Sequence, residues 1–270
     1  VIGLAFFATS CLNGDDSPVF QLDETSETIQ ETDLTRTLED IDEVVLIGFQ
    51  RNGFSDRTSL TLEEDLCDRT NIAWIPAQKK MILDFGEGCT SPRGVIRSGK
   101  IIVTYTGRYW VPGTVITTTF ENYYVDGKKI EGVREVKNNG FNEGDKFFTF
   151  TTSVKDGKIS WPNGTSKTYE ARHNKKVLLP NGDRGIIYAV TGGSKGQNRN
   201  EKSYVAVIVE ALIFSERCIK SGIKIPSKGL LKITIEERNK ILIDFGNEGC
   251  DREVIISIGD RSKTIILPRS

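Results

Sequence analysis

From Val95 to Leu267 the chain is a succession of β-branched and aromatic runs joined by very short links, and such links force consecutive strands to run antiparallel. The spacing predicts strands over 95–106, 113–125, 129–137, 146–154, 165–173, 184–193, 202–210 and 212–218. Four more are expected over 230–235, 241–245, 254–258 and 263–267. Asp126-Gly127, Asp156-Gly157, Asn163-Gly164, Asn181-Gly182 and Gly259-Asp260 punctuate them, and such dipeptides supply the positive φ that tight hairpins require. The expected fold class is all-β: a long antiparallel meander with tight hairpins. Helical spacing is confined to the front, where Leu34, Leu38 and Ile41 mark one face over 33–41, with a further turn at Thr61–Asp65. So few helices cannot cover a parallel sheet.

Four of the five cysteines lie in this body, and a repeat orders them. The stretch KMILDFGEGC at 80–89 returns as KILIDFGNEGC at 240–250 with one inserted residue. Each copy ends in a cysteine and has another upstream. Equal contexts imply equal local geometry, so the expected pairs are Cys67 with Cys89 and Cys218 with Cys250, in two related units near the ends of the body. Structural zinc is disfavoured, because the four lack close Cys-x₂₋₄-Cys spacing. Disulfides in turn fit an exported protein.

Charge divides the chain in a way that the formal total of -1 conceals. Residues 12–43 hold eleven acidic residues against Arg36 alone, whereas 44–270 hold 26 acidic and 35 basic residues. So acidic a stretch with so few aromatics reads as an extended or disordered linker. The domain reading is therefore a signal-peptide tail over 1–10, a linker over 11–43 and a β body over 44–270, with 44–110 and 111–270 as its one candidate subdivision. The lysines of the body are scattered and lack a continuous basic stripe with stacking aromatics, which argues against nucleic acid as a partner.

The apolar run Val1–Ala8, followed by Thr9-Ser10 before Cys11, reads as the end of a signal peptide. Ala8-Thr9-Ser10-Cys11 resembles a bacterial lipobox, with Ala8 where that signal usually carries Leu. The resemblance implies lipid attachment at Cys11 and a membrane partner through that anchor, with acyl groups such as palmitate. About ten residues are too few to span a bilayer.

Several motifs are discounted as chemistry. Asp84-Phe85-Gly86 and Asp244-Phe245-Gly246 spell the magnesium triplet of protein kinases without the rest of that machinery. A strand end, with a polar residue leaving the sheet and a glycine turning the chain, explains both copies better than calcium held by Asp84 with Glu87 or Asp244 with Glu248. Gly192-Gly193-Ser194-Lys195-Gly196 lacks the order of a phosphate loop and reads as a flexible hairpin loop. His173 is the only histidine, and Ser98, Ser153 and Ser203 have no nucleophile elbow around them. No catalytic residue, metal ligand or cofactor is assigned.

The IxLDFGxGC element, Arg97-Ser98-Gly99-Lys100-Ile101, Pro112–Phe120, Trp161-Pro162-Asn163-Gly164 and Asn198–Tyr204 together resemble a group of lipoproteins from Bacteroidetes and flavobacteria, over most of 65–270. Asp15-Asp16 after Cys11 resembles the export signals of that phylum. This implies an outer-membrane, surface-exposed lipoprotein and brings no catalytic residues. The expected role is non-catalytic binding or adhesion toward an extracellular glycan or protein, with Tyr109 and Trp110 as candidate exposed binding aromatics. The alternatives are an assembly component of the envelope and, more remotely, a glycan-processing hydrolase with two cleft carboxylates.

Overall fold

A computed structural model describes residues 22–54, 65–179, 185–238 and 240–268. The chain begins there with a 30-residue helix, α1 (Leu22–Arg51). Fourteen strands follow: β1 (Asn71–Ile75), β2 (Lys80–Asp84), β3 (Cys89–Thr90), β4 (Ile96–Tyr105), β5 (Val115–Val125), β6 (Lys128–Asn142) and β7 (Phe147–Ser160), then β8 (Ser166–Leu178), β9 (Ile187–Gln197), β10 (Ser203–Ser215), β11 (Lys228–Ile235), β12 (Ile241–Asn247), β13 (Glu253–Ile258) and β14 (Arg261–Ile266). A single helical turn, α2 (Glu216–Lys220), separates β10 from β11. Every strand is antiparallel to its neighbours and, apart from the short β3 beside β4, the order in space is the order in sequence. β1 and β14 each have one neighbour, so the sheet is open. The all-β meander is what the short links demanded.

The sheet is wound around α1. The helix packs against β2 and β12, near opposite ends of the strand order, and bonds to side chains of β4, β6, β8 and β9 in between. Alternation sets the two faces of the sheet. On β10, Tyr204 and Ala206 point inward and are buried, whereas Val205, Val207 and Val209 face outward and are exposed. One apolar core results, running from Leu34, Ile41, Val44, Ile47 and Phe49 of α1 to Met81, Leu83, Ile101, Ile233 and Ile243 of the sheet.

Both disulfides join the expected partners, Cys67 to Cys89 and Cys218 to Cys250. The repeat they close has the same geometry twice. Asp84 Oδ1 accepts from the Gly86 amide at 2.9 Å, and Asp244 Oδ1 from the Gly246 amide at 2.8 Å. Phe85 and Phe245 turn into the core, and Gly86 and Gly246 sit at φ 62° and 79°. The first DFG triplet is thus the expected strand end, at the close of β2, whereas the second lies inside β12 at a register shift against β11; in both the carboxylate caps the glycine amide.

Several local expectations are corrected. Asp156-Gly157 does not end a strand: it is a bulge inside β7, with a register shift between Val154 and Gly157 and Asp156 at φ 52°. Gly192–Gly196 is not a hairpin loop but the interior of β9. A side-chain carbon at Gly192 would overlap the Arg172 carbonyl oxygen, and one at Gly196 the Thr168 carbonyl, so these glycines serve close strand approach rather than flexibility. The expected strands 202–210 and 212–218 are one bulged strand, β10, only as far as Ser215, which caps α2; residues 216–218 are helical. Asp126-Gly127, Asn163-Gly164 and Gly259-Asp260 do lie in turns between strands. Asn181-Gly182 and residues 61–64 lie outside the described residues, as does the whole stretch 1–21 with Cys11.

Candidate functional site: the charged interface and crevice along the helix

The largest correction concerns the acidic segment. Residues 22–43, expected to belong to an extended linker, are helical, and from Glu27 onward they are largely buried within the sheet. Only the Leu34, Leu38, Ile41 face was legible, because nothing in a window of sequence reveals what a carboxylate will meet across space. The minor helix expected at 33–41 is instead a 30-residue element whose polar side is buried as well. The acidic stretch and the basic body are two sides of one interface.

Its pairs are specific. Arg97, 0 % exposed on the inner face of β4, donates from Nε (3.1 Å) and Nη2 (2.5 Å) to the two oxygens of Asp40, and from Nη1 to the Asp65 carbonyl at 3.0 Å. Lys224 lies 3.2 Å from Asp40, 2.9 Å from Glu43 and 3.3 Å from Asp65. Burial disfavours the charges of Asp65, Arg97 and Lys224, but the opposite charges around them win. The Ser91 hydroxyl, Lys224, the Arg93 amide and Arg97 hold the Asp65 carboxyl below its ordinary value, and Asp40 and Glu43 hold the Lys224 ammonium above its own.

Further along, Glu31 accepts from Lys167 Nζ at 2.6 Å and from the Ser194 hydroxyl at 3.0 Å, while Asn198 donates to Glu27 at 2.6 Å. Lys167 also lies over the Tyr204 ring at 4.0 Å. Lys175 reaches Glu39 at 2.6 Å. Arg134 donates from Nε and Nη2 to Asp42, both at 2.7 Å, a two-pronged pair matched to a carboxylate. Against the desolvation of both groups, this pair depresses the Asp42 pKa.

Between helix and sheet the packing is incomplete. One cavity of about 40 Å³ lies between Leu34 and Leu38 of α1 and Leu212, Phe214 and Leu231 of the sheet, with Arg134 and His173 on its wall. A second, of about 60 Å³, is bounded by Leu46, Tyr109, Trp110 and Tyr188. The two share Glu39, Lys175 and Phe214 as walls and lie side by side as a crevice along the flank of the helix. Arg134 is buried, yet its Nη1 has no hydrogen-bond partner among the described residues. His173 beside it is half-buried and likewise makes no side-chain hydrogen bond there. Desolvation, aided by the Arg134 charge, lowers its pKa to about 4, so the imidazole is neutral at pH 7 and offers one N–H donor.

Among the aromatic residues of the body, Tyr105 and Tyr123 are core residues, and Trp161 is half-buried with Arg199 4.3 Å above its ring. Tyr109 and Trp110 do not stand out in solvent. They are half-buried and pack against Phe148 and Phe150, with ring centroids 5.0–5.7 Å apart, because the loop that carries them folds back over the end of the crevice. His173 and Arg134, which sequence reasoning left without a role, are the polar groups that the fold brings together. Alternation along β6 and β8 was the one available signal that they point inward.

A wider opening of about 520 Å³ lies beside α2, lined by Arg36, Lys220, Lys224 and Arg252 among others. These cations are committed: Arg36 to Asp33, Lys220 to Glu216, Lys224 to three carboxylates and Arg252 to the Leu267 carbonyl. Among the described residues no cluster of acidic, cysteine or histidine side chains is arranged to hold a metal ion, and no helix is long and apolar enough to cross a membrane.

The fold and this interface define the class: an open antiparallel sheet wound on its own N-terminal helix, with a charge-lined seam between them. No family model matches the chain, and no curated protein or solved structure does.

Proposed function

We propose that this chain is a non-catalytic binding module of a bacterial outer membrane, held there by lipid on Cys11. The observation that carries the binding reading is the crevice along α1, where the buried Arg134 keeps a donor without a partner beside the uncommitted imidazole of His173. A buried polar group without a partner costs stability, and a ligand or ordered water is the usual explanation. The anchor rests on the run from Ala8 to Cys11.

Metabolic labelling with a clickable fatty acid, compared between the native precursor and Cys11→Ser, tests the anchor, and protease or antibody access on intact cells tests the outward face. Labelling lost in the variant, with access from outside, is the expected result. Absence of labelling in the native protein would overturn the anchor, and labelling without access would place the body on the periplasmic side.

A second reading, an assembly component, draws on the open sheet edges. Among the described residues β14 has no strand beyond it, and Ile266 on it is 65 % exposed, an edge of the kind that accepts a partner strand. Crosslinking from Lys263 in cells would favour it if one envelope protein were captured there and lost on Ile266→Lys.

A further inference from the structure

We infer that the crevice along α1 takes a single-chain amphiphile with an anionic, hydrogen-bond-accepting head, of the fatty-carboxylate kind. The inference rests on the binding reading and names the ligand class of the same site. Three features select this chemistry. The uncommitted polar groups include a charged donor, Nη1 of Arg134, beside a neutral His173 that brings one N–H donor and one acceptor nitrogen. Their neighbours among the acceptors are already used, Glu39 by Lys175, Asp42 by the other prongs of Arg134, and Glu31 by Lys167 and Ser194. The buried guanidinium nitrogen of Arg134 can be satisfied only by an acceptor, so an accepting head completes the site.

The rest of the wall is apolar and narrow. Leu34 and Leu38 face Leu212, Phe214 and Leu231 across the first cavity, and Phe214 continues into the second beside Leu46 and Trp110. Two small cavities that share walls suit an unbranched chain better than a planar sugar or a folded peptide. Widening them requires α1 to move relative to the sheet.

The test uses the full 270-residue chain with Cys11→Ser, so that no attached lipid competes, and titrates decanoate and decyltrimethylammonium calorimetrically. Saturable one-to-one binding of decanoate, at least tenfold tighter than the cation of equal chain length, is expected. Ala171→Leu fills the first cavity and leaves the Arg134–Asp42 pair intact, and it should weaken decanoate at least tenfold with the far-UV spectrum unchanged. R134M/D42M removes the pair as a unit, which protects folding better than removing one partner, and should abolish the preference for the anion. No saturable binding, equal binding of both amphiphiles, or indifference to Ala171→Leu would overturn the assignment. A glycan and peptide array run in parallel separates the two levels. Capture there with no decanoate binding ends the amphiphile assignment and keeps the binding reading, whereas failure of both ends both.

Discussion

Arg97 is fully buried and bonded to Asp40 through two nitrogens and to the Asp65 carbonyl through the third. Truncating one partner of such a cluster leaves charge stranded in a dry interior, which costs more than the cluster contributes when whole. Arg97→Met should therefore destabilise the protein by about 3–5 kcal/mol in urea unfolding. An exposed pair such as Lys195 with Glu170 should be worth less than about 1 kcal/mol in the same assay. His173 makes a prediction in pH. Its unfolded pKa near 6.5 falls to about 4 in the fold because burial disfavours the imidazolium. As pH drops through that window the unfolded chain takes up a proton that the folded chain refuses, so stability declines by up to about 3 kcal/mol. His173→Gln should flatten the decline in melting temperature between pH 6.5 and 4. Below 3.8 the lowered pKa values of Asp42 and Asp65 add a second loss, which the variant retains.

At the scale of elements, α1 is a helix that the sheet makes. Its own sequence opposes it: Glu27 with Glu31 and Glu39 with Glu43 are like charges four residues apart, and five threonines between 25 and 37 add β-branching. A peptide of residues 22–51 should be mostly unfolded in water at 25 °C by far-UV circular dichroism, although its length would let a better sequence form helix. High helicity in isolation would show that local propensity, not the cations of the sheet, shapes this segment. The disulfides act on the other end of the argument. Cys218 and Cys250 are 32 residues apart and bracket β11 and β12, so replacing both with Ser should cost about 2–5 kcal/mol, read as a lower urea midpoint.

At the scale of the molecule, one core joins α1 to strands from β2 to β13. Helix and sheet should accordingly unfold together: tryptophan fluorescence, with Trp74 and Trp110 packed on the core, and far-UV dichroism should trace coincident urea transitions. An early loss of helical signal would mean that α1 leaves a sheet able to stand without it. This closure around the helix was not legible in the sequence. The strands were, since short links, β-branched runs and glycine turns act between neighbours. Bulges were not, because Asp156-Gly157 is chemically the same dipeptide as a hairpin turn and only the register of β6 and β8 decides between them. The candidate site was least legible of all. Arg134 and His173 sit on separate strands and become neighbours only across β7, and the aromatic pair expected in solvent turns inward at the end of the crevice.

By itself the sequence determined the antiparallel class, the two cysteine pairs and the carboxylate-capped glycine of the repeated DFG element, because each follows from chemistry within a few residues or from one segment echoing another. Tertiary structure alone decided what the acidic stretch is for. A carboxylate in a chain is the same group whether it will face water or an arginine 57 residues away, as Asp40 and Arg97 do. Only the winding of the sheet, which places the cations of β4, β6 and β8 around α1, turns a segment too charged to fold alone into the axis of the molecule.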